Sequence, residues 1–145
     1  MGDKAVRAIE YGMVFDHIKP GLGSAVSAVI KNRVWSEGTI CPVYTGEGVD
    51  SSRMGKKDFV KLEGVHLESG SDALGEIAVI QQGLTVNWIE GGERSQKRTA
   101  RDCMGDELHT GLIECGNTNC IANYEAPGIY RVLDKGSLMV RCHYC

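Results

Sequence analysis

Two cysteine pairs near the C-terminus carry the most specific chemistry in this sequence. One pair is C-x4-C, the other is C-x2-C, and 21 residues separate them; the four residues are Cys115, Cys120, Cys142 and Cys145. Each pair is short enough to close a tight turn, and four thiolates at tetrahedral corners suit Zn²⁺. Two disulfides, or cysteines buried by coincidence, are the alternative interpretations. Because four protein ligands fill a tetrahedral site, the pattern predicts a structural metal rather than a catalytic one.

The remaining cysteines, Cys41 and Cys103, lie far from any partner in sequence, and we interpret them as free thiols. A redox enzyme that uses the Cys142-x-x-Cys145 pair is an alternative to the metal site. It would need an accessible thiol with a low pKa, which a four-cysteine metal site removes. Four cysteines in metal spacing and an N-terminus without the apolar core of a signal peptide predict a reducing compartment, the cytoplasm.

The charge balance limits the partners that the chain can have. With 145 residues and a net charge of −3, the sequence predicts no general attraction to nucleic acid or to an anionic membrane. No apolar run approaches the length of a membrane-spanning helix. A nucleic-acid-binding zinc ribbon remains an alternative, because Lys97, Arg98 and Arg101 form a basic cluster. Strongly salt-dependent binding of DNA or RNA would distinguish that alternative.

The elements that must position these residues follow from hydrophobic spacing. Short runs of β-forming residues predict strands over residues 4–9, 13–18, 39–44, 58–63 and 84–89, with a bend at Gly12. Apolar residues with helical spacing from Leu22 to Ile30 predict a helix that ends near Asn32. Ser71 is a suitable N-cap for a second helix, which Gly83 closes. Three glycines in residues 45–55 predict a flexible hairpin connection.

The order of these elements predicts an α+β protein with two domains. The β-α-β-β-α-β order indicates a ferredoxin-like N-terminal domain, an antiparallel sheet with two helices, over residues 1–100. The hydrophobic pattern stops over residues 90–106, and we expect its later half to be an exposed linker. Residues 101–145 then form a small zinc-bound all-β domain. A domain of about 45 residues is too small to hold itself together, so metal binding would supply much of its folding energy.

The chain resembles the regulatory chain of aspartate carbamoyltransferase over nearly its whole length. The matching segments are Val6-Arg-Ala-Ile9, Val14-Phe-Asp-His-Ile18, Met54-Gly-Lys-Lys-Asp-Phe-Val-Lys-Leu-Glu63, Thr85-Val-Asn-Trp-Ile89 and the two cysteine pairs. The resemblance implies a non-catalytic subunit whose N-terminal allosteric domain binds nucleotides. It implies CTP as inhibitor and ATP as activator, with UTP as a further candidate and Mg²⁺ as counter-ion. It also implies a homodimer through the N-terminal domain and a zinc domain that docks on the catalytic chain.

The resemblance also implies the residues of the nucleotide site. They are Val6, Ala8, Ile9, Asp16, His17, Lys57, Lys61, Asn87, Ile89 and Lys97. Three lysines would face phosphate, Asp16 could accept hydrogen bonds from ribose hydroxyls, and His17 could donate to phosphate. Each of these residues also has an ordinary structural interpretation, as a solvated lysine, a structural histidine or a core aliphatic residue.

Three positions depart from the family pattern. Arg7 replaces an acidic residue, Gly92 a tyrosine and Arg94 an aliphatic residue. The arginines could add affinity for phosphate or serve a different effector, and the Gly91-Gly92 pair should change base discrimination. An alternative function is therefore a zinc-pinned assembly scaffold that has lost or changed its nucleotide response. The sequence given stops at Cys145, which is either the natural end or the point where a tail is missing. If it is the end, its terminal carboxylate adds negative charge beside the metal, and we expect weaker zinc retention than in a longer relative.

Overall fold

The computed structural model describes residues 8–36, 38, 40–124 and 128–145, and the statements below concern these residues. The N-terminal part consists of β1 (Gly12–Ile18), α1 (Gly23–Trp35), β2 (Val43–Ser51), β3 (Gly55–Glu63), α2 (Asp72–Ile80), β4 (Thr85–Glu90) and β5 (Glu93–Thr99). The C-terminal part consists of β6 (Glu107–Thr110), β7 (Gly128–Asp134) and β8 (Met139–Cys142). No helix among these residues is long and apolar enough to cross a membrane.

The N-terminal strands form one five-stranded sheet in the order β2-β3-β1-β4-β5. The pairs of β1 with β3, β1 with β4, β2 with β3 and β4 with β5 are all antiparallel. The first four strands therefore have the order of a ferredoxin-like sheet, and β5 extends it at one edge. A separate antiparallel sheet, β6-β7-β8, forms the C-terminal domain. The expected α+β fold, with its small all-β C-terminal domain, is confirmed.

Both helices bury their apolar residues against the sheet. Val26 and Ile30 of α1 and Leu74 and Ile77 of α2 have no exposed surface. Each fully buried aliphatic side chain contributes about 1.5–3 kcal/mol relative to an exposed one, so these contacts account for much of the attachment of the helices. Ser71 caps α2 as the sequence predicts, because its hydroxyl accepts a hydrogen bond from the Leu74 amide.

Asp58 joins α1 to the β2–β3 hairpin. Its side chain is buried, and one carboxylate oxygen accepts from the amides of Gly21 and Gly23 while the other accepts from the amide of Gly48. The three bonds offset the cost of burying the carboxylate, whose charge also suits the N-terminal end of a helix. Asp58 thereby sets where α1 begins relative to β2.

The sequence analysis predicted no strand for two segments that are strands. Residues 45–51, expected to be a flexible connection, belong to β2, which pairs with β3 through a bulge between Gly46 and Val49. Residues 93–99 form β5, which pairs with β4 where the hydrophobic pattern stops, and only its last residues, 98 and 99, fall in the half expected to be an exposed linker. The sequence analysis missed both stretches for the same reason. Each strand lies at an edge of the sheet, where pairing on one side holds the backbone without a buried apolar face.

The remaining differences are shifts of boundaries. Helix α1 continues to Trp35, three residues beyond the expected end at Asn32. The strand expected over residues 39–44 begins only at Val43. The strand expected over residues 4–9 falls largely outside the described residues, and Ala8 and Ile9, which are described, are not in a strand. Pro42 accounts for the late start of β2, because proline cannot donate to a strand ladder.

Candidate functional sites

Polar residues from three strands share the face of the five-stranded sheet that faces away from the helices. Lys61 of β3 lies opposite Val14 of β1, Val14 lies opposite Asn87 of β4, and Asn87 lies opposite Lys97 of β5. Directly opposed residues of neighbouring strands point to the same face. We call this face the outward face. The structure therefore brings Lys61, Asn87 and Lys97 onto one face, although they are far apart in sequence.

A bulge at the end of β1 presents Asp16 and His17. The register of β1 against β3 shifts between Phe15 and Ile18, and His17 has a φ of 58°. This left-handed conformation is strained for a histidine, and such strain is typical of functional sites. The Asp16 carboxylate accepts from the His17 amide at 2.7 Å and pairs with Lys57 Nζ at 2.8 Å. Three of the predicted site residues thus form one hydrogen-bonded group.

Two residues that the sequence analysis did not identify hold this bulge. Thr85 Oγ1 lies 2.9 Å from His17 Nδ1. The side-chain amide of Gln81 donates to the His17 carbonyl at 2.9 Å and accepts from the Lys19 amide at 2.8 Å. Gln81 is the C-cap residue of α2, where no side-chain pattern distinguishes it from the adjacent Gln82. Only the chain fold places it beside His17.

The charge state of the bulge follows from its surroundings. Burial raises the pKa of Asp16, but hydrogen bonds from Lys57 and from the His17 amide outweigh it, so the pKa lies below the ordinary value of 3.8. Burial lowers the pKa of His17 below 6.5, and the charges of Arg53, Lys57 and Lys97 act in the same direction against the opposing effect of Asp16. At neutral pH, Asp16 is therefore ionised and the imidazole is neutral.

An open cleft of about 290 Å³ adjoins the bulge. Its lining contains three cationic side chains, one carboxylate and two hydroxyls, together with a glycine: Arg53, Lys97, Arg98, Asp102, Thr85, Thr99 and Gly83. Thr85 belongs both to the cleft and to the contact with His17. Because cations outnumber the carboxylate, the cleft suits an anion with several negative charges. The sequence analysis named Lys97 but missed Arg53 and Thr85 as neighbours of His17.

The other residues predicted to contact the nucleotide differ in burial and in how they are packed. Val6 lies outside the described residues, Ala8 is exposed, and Ile9 is buried at 5% exposure. Lys61 Nζ lies 5.4 Å from the centre of the Phe59 ring, and that ring packs against β2 at Gly46. Gly46 permits this packing, since a Cβ there would lie 2.1 Å from a Phe59 ring carbon.

The backbone conformation of the turn explains why glycine occupies positions 91 and 92. Both residues have positive φ, 59° and 76°, and they form the two-residue turn between β4 and β5. Two positive values in succession are characteristic of the type I′ hairpin turn, which favours glycine. The Gly92 amide also donates to the Glu10 carbonyl. Arg94, the other described departure, is an exposed residue of β5 opposite Ile89.

The four cysteines of the C-terminal domain meet at one point. Their Sγ atoms all lie within 4.8 Å of one another, and the Cys115–Cys145 and Cys120–Cys142 distances are both 3.5 Å. A Zn–S bond of about 2.3 Å implies sulfur–sulfur distances of about 3.8 Å in a tetrahedron. The spacing of the sulfurs therefore fits a tetrahedral thiolate site.

The turn that carries Cys115 and Cys120 is held by asparagine side chains. Asn123 accepts from the Cys115 amide and donates to the carbonyls of Cys115 and Asn117. Asn117 accepts from the Asn119 amide, as expected of an asparagine within such a turn. These bonds fix the backbone beneath the sulfurs, which is the usual role of the residues around metal ligands.

The sulfurs cannot all be thiolates without a cation. Desolvation raises the pKa of Cys142, but hydrogen bonds from the Tyr144 amide and from the other three cysteines outweigh it and lower this pKa. Hydrogen bonds with Cys115 and Cys120 raise the pKa of Cys145 to about 12. A divalent cation would stabilise the thiolate form of all four sulfurs. Cys41 and Cys103 are buried elsewhere, and burial raises the pKa of both.

Comparisons with known proteins agree with this architecture. Residues 4–101 match the model of the aspartate carbamoyltransferase regulatory chain, allosteric domain, and residues 108–145 match that of the same chain's metal binding domain. The aspartate carbamoyltransferase regulatory chain of Thermococcus sibiricus is 36% identical over 100% of this chain and 91% of the relative. That of Archaeoglobus fulgidus is 34% identical over 100% and 92%. That of Bacteroides thetaiotaomicron is 32% identical over 97% and 86%.

Both domain models match in the expected order, and full-length relatives share a third of their residues with this chain. The five-stranded domain is accordingly an allosteric domain, and the domain with the four cysteines is a metal-binding domain. The chain belongs to the family of aspartate carbamoyltransferase regulatory chains, which are non-catalytic subunits with a catalytic-chain partner.

Proposed function

We propose that this regulatory chain binds nucleoside triphosphates on the outward face of its sheet and thereby controls the catalytic chain in pyrimidine biosynthesis in the cytoplasm. CTP would inhibit the partner enzyme and ATP would activate it, with UTP as a further ligand and Mg²⁺ as counter-ion. The observation that carries this proposal is the cationic cleft beside the Asp16–His17 bulge. It offers several positive charges next to a carboxylate, which are the groups that phosphate and ribose require.

We propose a part of the nucleotide for each group of residues. Lys97, Arg53 and Arg98 line the cleft and suit the phosphates. Asp16 is ionised and suits a ribose hydroxyl, because a carboxylate accepts but does not donate. Ile9 and Ile89 provide apolar surface for the base, beside the Gly91-Gly92 turn. Val6 and Ala8 remain proposed contacts through the family resemblance.

We propose Zn²⁺ as the metal of the C-terminal domain, with Cys115, Cys120, Cys142 and Cys145 as its ligands. The four-thiolate set and the sulfur spacing support a closed tetrahedral site, so the ion would stabilise the domain without taking part in catalysis. We propose the domain division at residues 100 and 101, since the last paired residue of β5 is Thr99.

The C-terminal domain is the proposed docking surface for the catalytic chain. Among the described residues, six of the nine exposed large apolar side chains belong to it: Leu112, Ile121, Tyr124, Leu133, Met139 and Tyr144. Such a concentration of apolar surface in a small domain is typical of a protein–protein interface. Loss of assembly with the catalytic chain after replacement of Tyr124 and Met139 by serine would support this role, and full assembly would contradict it.

We also propose a homodimer through the N-terminal domain. β2 is an edge strand with open backbone groups, and the exposed Ile40 precedes it, whereas the other edge strand, β5, carries mainly polar side chains. A second copy could therefore extend the sheet at β2. Sedimentation equilibrium of the metal-loaded chain checks this, and a monomer at every concentration would argue against it.

The nucleotide site is tested by calorimetric titration of the zinc-loaded chain with CTP and then with ATP. We expect saturable binding of both, with each displacing the other. Lys61→Ala and Lys97→Ala should each weaken binding by about tenfold or more, since a charge-assisted hydrogen bond contributes about 1.5–3 kcal/mol.

Lys56→Ala is the matched control, because Lys56 lies on β3 like Lys61 but is exposed and pairs with Asp50. It should bind both nucleotides like the wild type. Equal effects of all three substitutions would refute a specific site on the outward face. Absence of binding by the wild type would favour the other candidate, a zinc-pinned assembly scaffold, which the changes at Gly92 and Arg94 make a specific alternative.

A further inference from the structure

A bulge in β5 brings a second cationic side chain, that of Arg94, onto the outward face of the sheet. Lys97 lies opposite Asn87 and Arg94 lies opposite Ile89, so three steps along β5 correspond to two steps along β4. In a regular strand, residues three apart would point to opposite faces. The bulge changes this alternation, as bulges commonly do when they redirect a side chain. Lys97 and Arg94 therefore both belong to the outward face.

A carboxylate lies at the same end of the sheet. The Gly92 amide donates to the Glu10 carbonyl at 2.8 Å, which ties the residue shortly before β1 to the β4–β5 turn. A Cβ at Gly92 would lie 3.3 Å from Glu10 Oε2, so the carboxylate lies directly beside the space that a side chain at position 92 would take. Glu10 is exposed. Because Gly92 has no side chain, the carboxylate is open to a ligand on this side.

Glu10 and Arg94 have opposite charges but do not pair with each other. In the part of the chain that the structure describes, no ion pair joins them. Arg94 follows Gly92 by two residues, which is about 7 Å along an extended strand. The half-buried Ile89 lies opposite Arg94 and offers apolar surface. A flat ligand that donates hydrogen bonds along one edge and accepts them along the next would therefore suit this position.

This position is separated from the cationic cleft by about the length of a nucleotide. Thr85 lines the cleft, and Ile89 follows it on β4 by four residues, which is about 13 Å along the strand. An extended nucleoside triphosphate can span this distance, with its phosphates beside Lys97 and its base beside Ile89. The negative charge of Glu10 then lies at the end away from the phosphates and does not oppose them.

Guanine is the base whose edges match both groups. Its O6 and N7 are neighbouring acceptors, which an arginine binds with two parallel hydrogen bonds. Its N1–H and its N2 amino group are neighbouring donors, which a carboxylate accepts with both oxygens. Adenine has a donor where guanine has O6, and cytosine offers a single amino group to a carboxylate. Neither base can make two hydrogen bonds to Arg94 and two to Glu10 at the same time.

We propose that Glu10 and Arg94 recognise guanine, and that GTP is a ligand of this regulatory chain that binds more tightly than CTP or ATP. Arg94 would donate to O6 and N7, and Glu10 would accept from N1 and N2. This inference rests on the proposed function for the location of the nucleotide site. It deepens that function by naming the base that the departures at Gly92 and Arg94 select.

The first experiment compares ligands on the unchanged, zinc-loaded full chain by calorimetric titration. We expect GTP to bind about tenfold or more tightly than ATP or CTP, since a well-formed bidentate contact discriminates between bases by about this factor. ITP lacks the N2 amino group and 7-deaza-GTP lacks the N7 acceptor. Each should bind more weakly than GTP, because each leaves one hydrogen-bonding group of the site without its partner.

The second experiment assigns each edge of the base to a side chain. Arg94→Leu should lower the affinity for GTP about tenfold and bring it to that of 7-deaza-GTP, while ATP and CTP bind as before. Glu10→Gln should reduce the preference for GTP over ITP, because an amide offers one acceptor oxygen in place of two.

Glu93→Gln is the matched control for Glu10→Gln. It removes the same charge from the same turn, but Glu93 pairs with Glu90 and not with Ile89, so it lies one position away from the outward face. It should keep every preference of the wild type. An equal loss of affinity for GTP, ATP and CTP in Arg94→Leu would overturn the proposal, because Arg94 would then contact phosphate and not the base.

The wild-type titrations separate this inference from the proposed function. Binding of ATP and CTP with equal or weaker binding of GTP would overturn guanine recognition and leave the proposed function in place. Binding of GTP without ATP or CTP would support Glu10 and Arg94 and refute the proposed pair of effectors. Absence of binding of all three triphosphates would refute both.

Discussion

At the scale of single residues, the Asp16–His17 pair combines a fixed negative charge with a titratable neighbour. Asp16 remains ionised at neutral pH because Lys57 and the His17 amide stabilise its carboxylate. His17 remains neutral because burial and three nearby cations disfavour its proton. A bound phosphate would reverse this balance, since a negative charge beside an imidazole raises its pKa. Proton uptake should therefore accompany nucleotide binding.

We predict that nucleotide affinity increases as the pH falls from 8 to 6. Calorimetry in two buffers of different ionisation enthalpy measures the protons taken up, and His17→Asn should abolish the uptake. Affinity that does not change with pH in the wild type would exclude His17 as a phosphate contact.

The lowered pKa of His17 has the opposite effect on the stability of the ligand-free chain, which decreases as the pH falls. The folded pKa of His17 lies below the unfolded value of about 6.5, so the unfolded chain binds the proton more readily. The contribution of His17 to the free energy of unfolding therefore decreases as the pH falls through that value. Acidification should weaken the ligand-free protein while it strengthens ligand binding.

At the scale of elements, the sheet depends on a few joints between strands and helices. Asp58 forms one of these joints, because three backbone amides from two separate segments donate hydrogen bonds to its carboxylate. Its position one residue after Lys57 means that the same strand carries a structural carboxylate on one face and a candidate phosphate contact on the other. The joint therefore helps to hold the outward face in place.

We predict that Asp58→Asn lowers the free energy of unfolding by about 2–3 kcal/mol, because hydrogen bonds to a charged group contribute about 1.5–3 kcal/mol and the amide nitrogen cannot accept one. Urea denaturation measures this value. Asp50→Asn is the control, since Asp50 is exposed and pairs with Lys56 at the surface. Equal stabilities of the two variants would contradict the role of Asp58.

The elements also show what the sequence can predict. The helices, the central strands and the cysteine site follow from spacing, because apolar periodicity and metal ligands leave direct marks on the sequence. The continuation of β2 beyond Tyr44 and the whole of β5 were missed because their pairing uses backbone groups, and Gly46 and Gly48 give the β2 segment the composition of a loop. Gln81 and Thr85 could not be found either, since their contacts with His17 span 64 and 68 residues.

At the scale of the whole molecule, the two domains differ in what stabilises them. The N-terminal domain has a continuous core between sheet and helices, to which Val132 and Leu138 of the metal-binding domain add partly buried contacts. The metal-binding domain has a three-stranded sheet and few fully buried side chains of its own, such as Leu108 and Tyr130. A domain of this kind depends on its metal for folding.

We predict that removal of the metal by a chelator unfolds the C-terminal sheet and leaves the five-stranded sheet intact. Hydrogen exchange should increase over residues 107–145 and remain slow in the N-terminal core.

Titration with a thiol reagent then counts the cysteine thiols that become reactive when the metal is removed. Four thiols should become reactive on metal removal, because Cys41 and Cys103 are buried with raised pKa values. Reactivity of all six together would show instead that the domains unfold as one unit.

The cationic cleft also affects how quickly a ligand is captured. The chain as a whole carries a net charge of −3 and repels anions at long range, while Arg53, Lys97 and Arg98 concentrate positive charge at one opening. Within a screening length of about 8 Å at physiological ionic strength, this opening attracts anions despite the overall charge. Association should therefore slow as salt is added, while dissociation changes little. The speed of response to a change in nucleotide pools would then depend on the ionic strength of the cell.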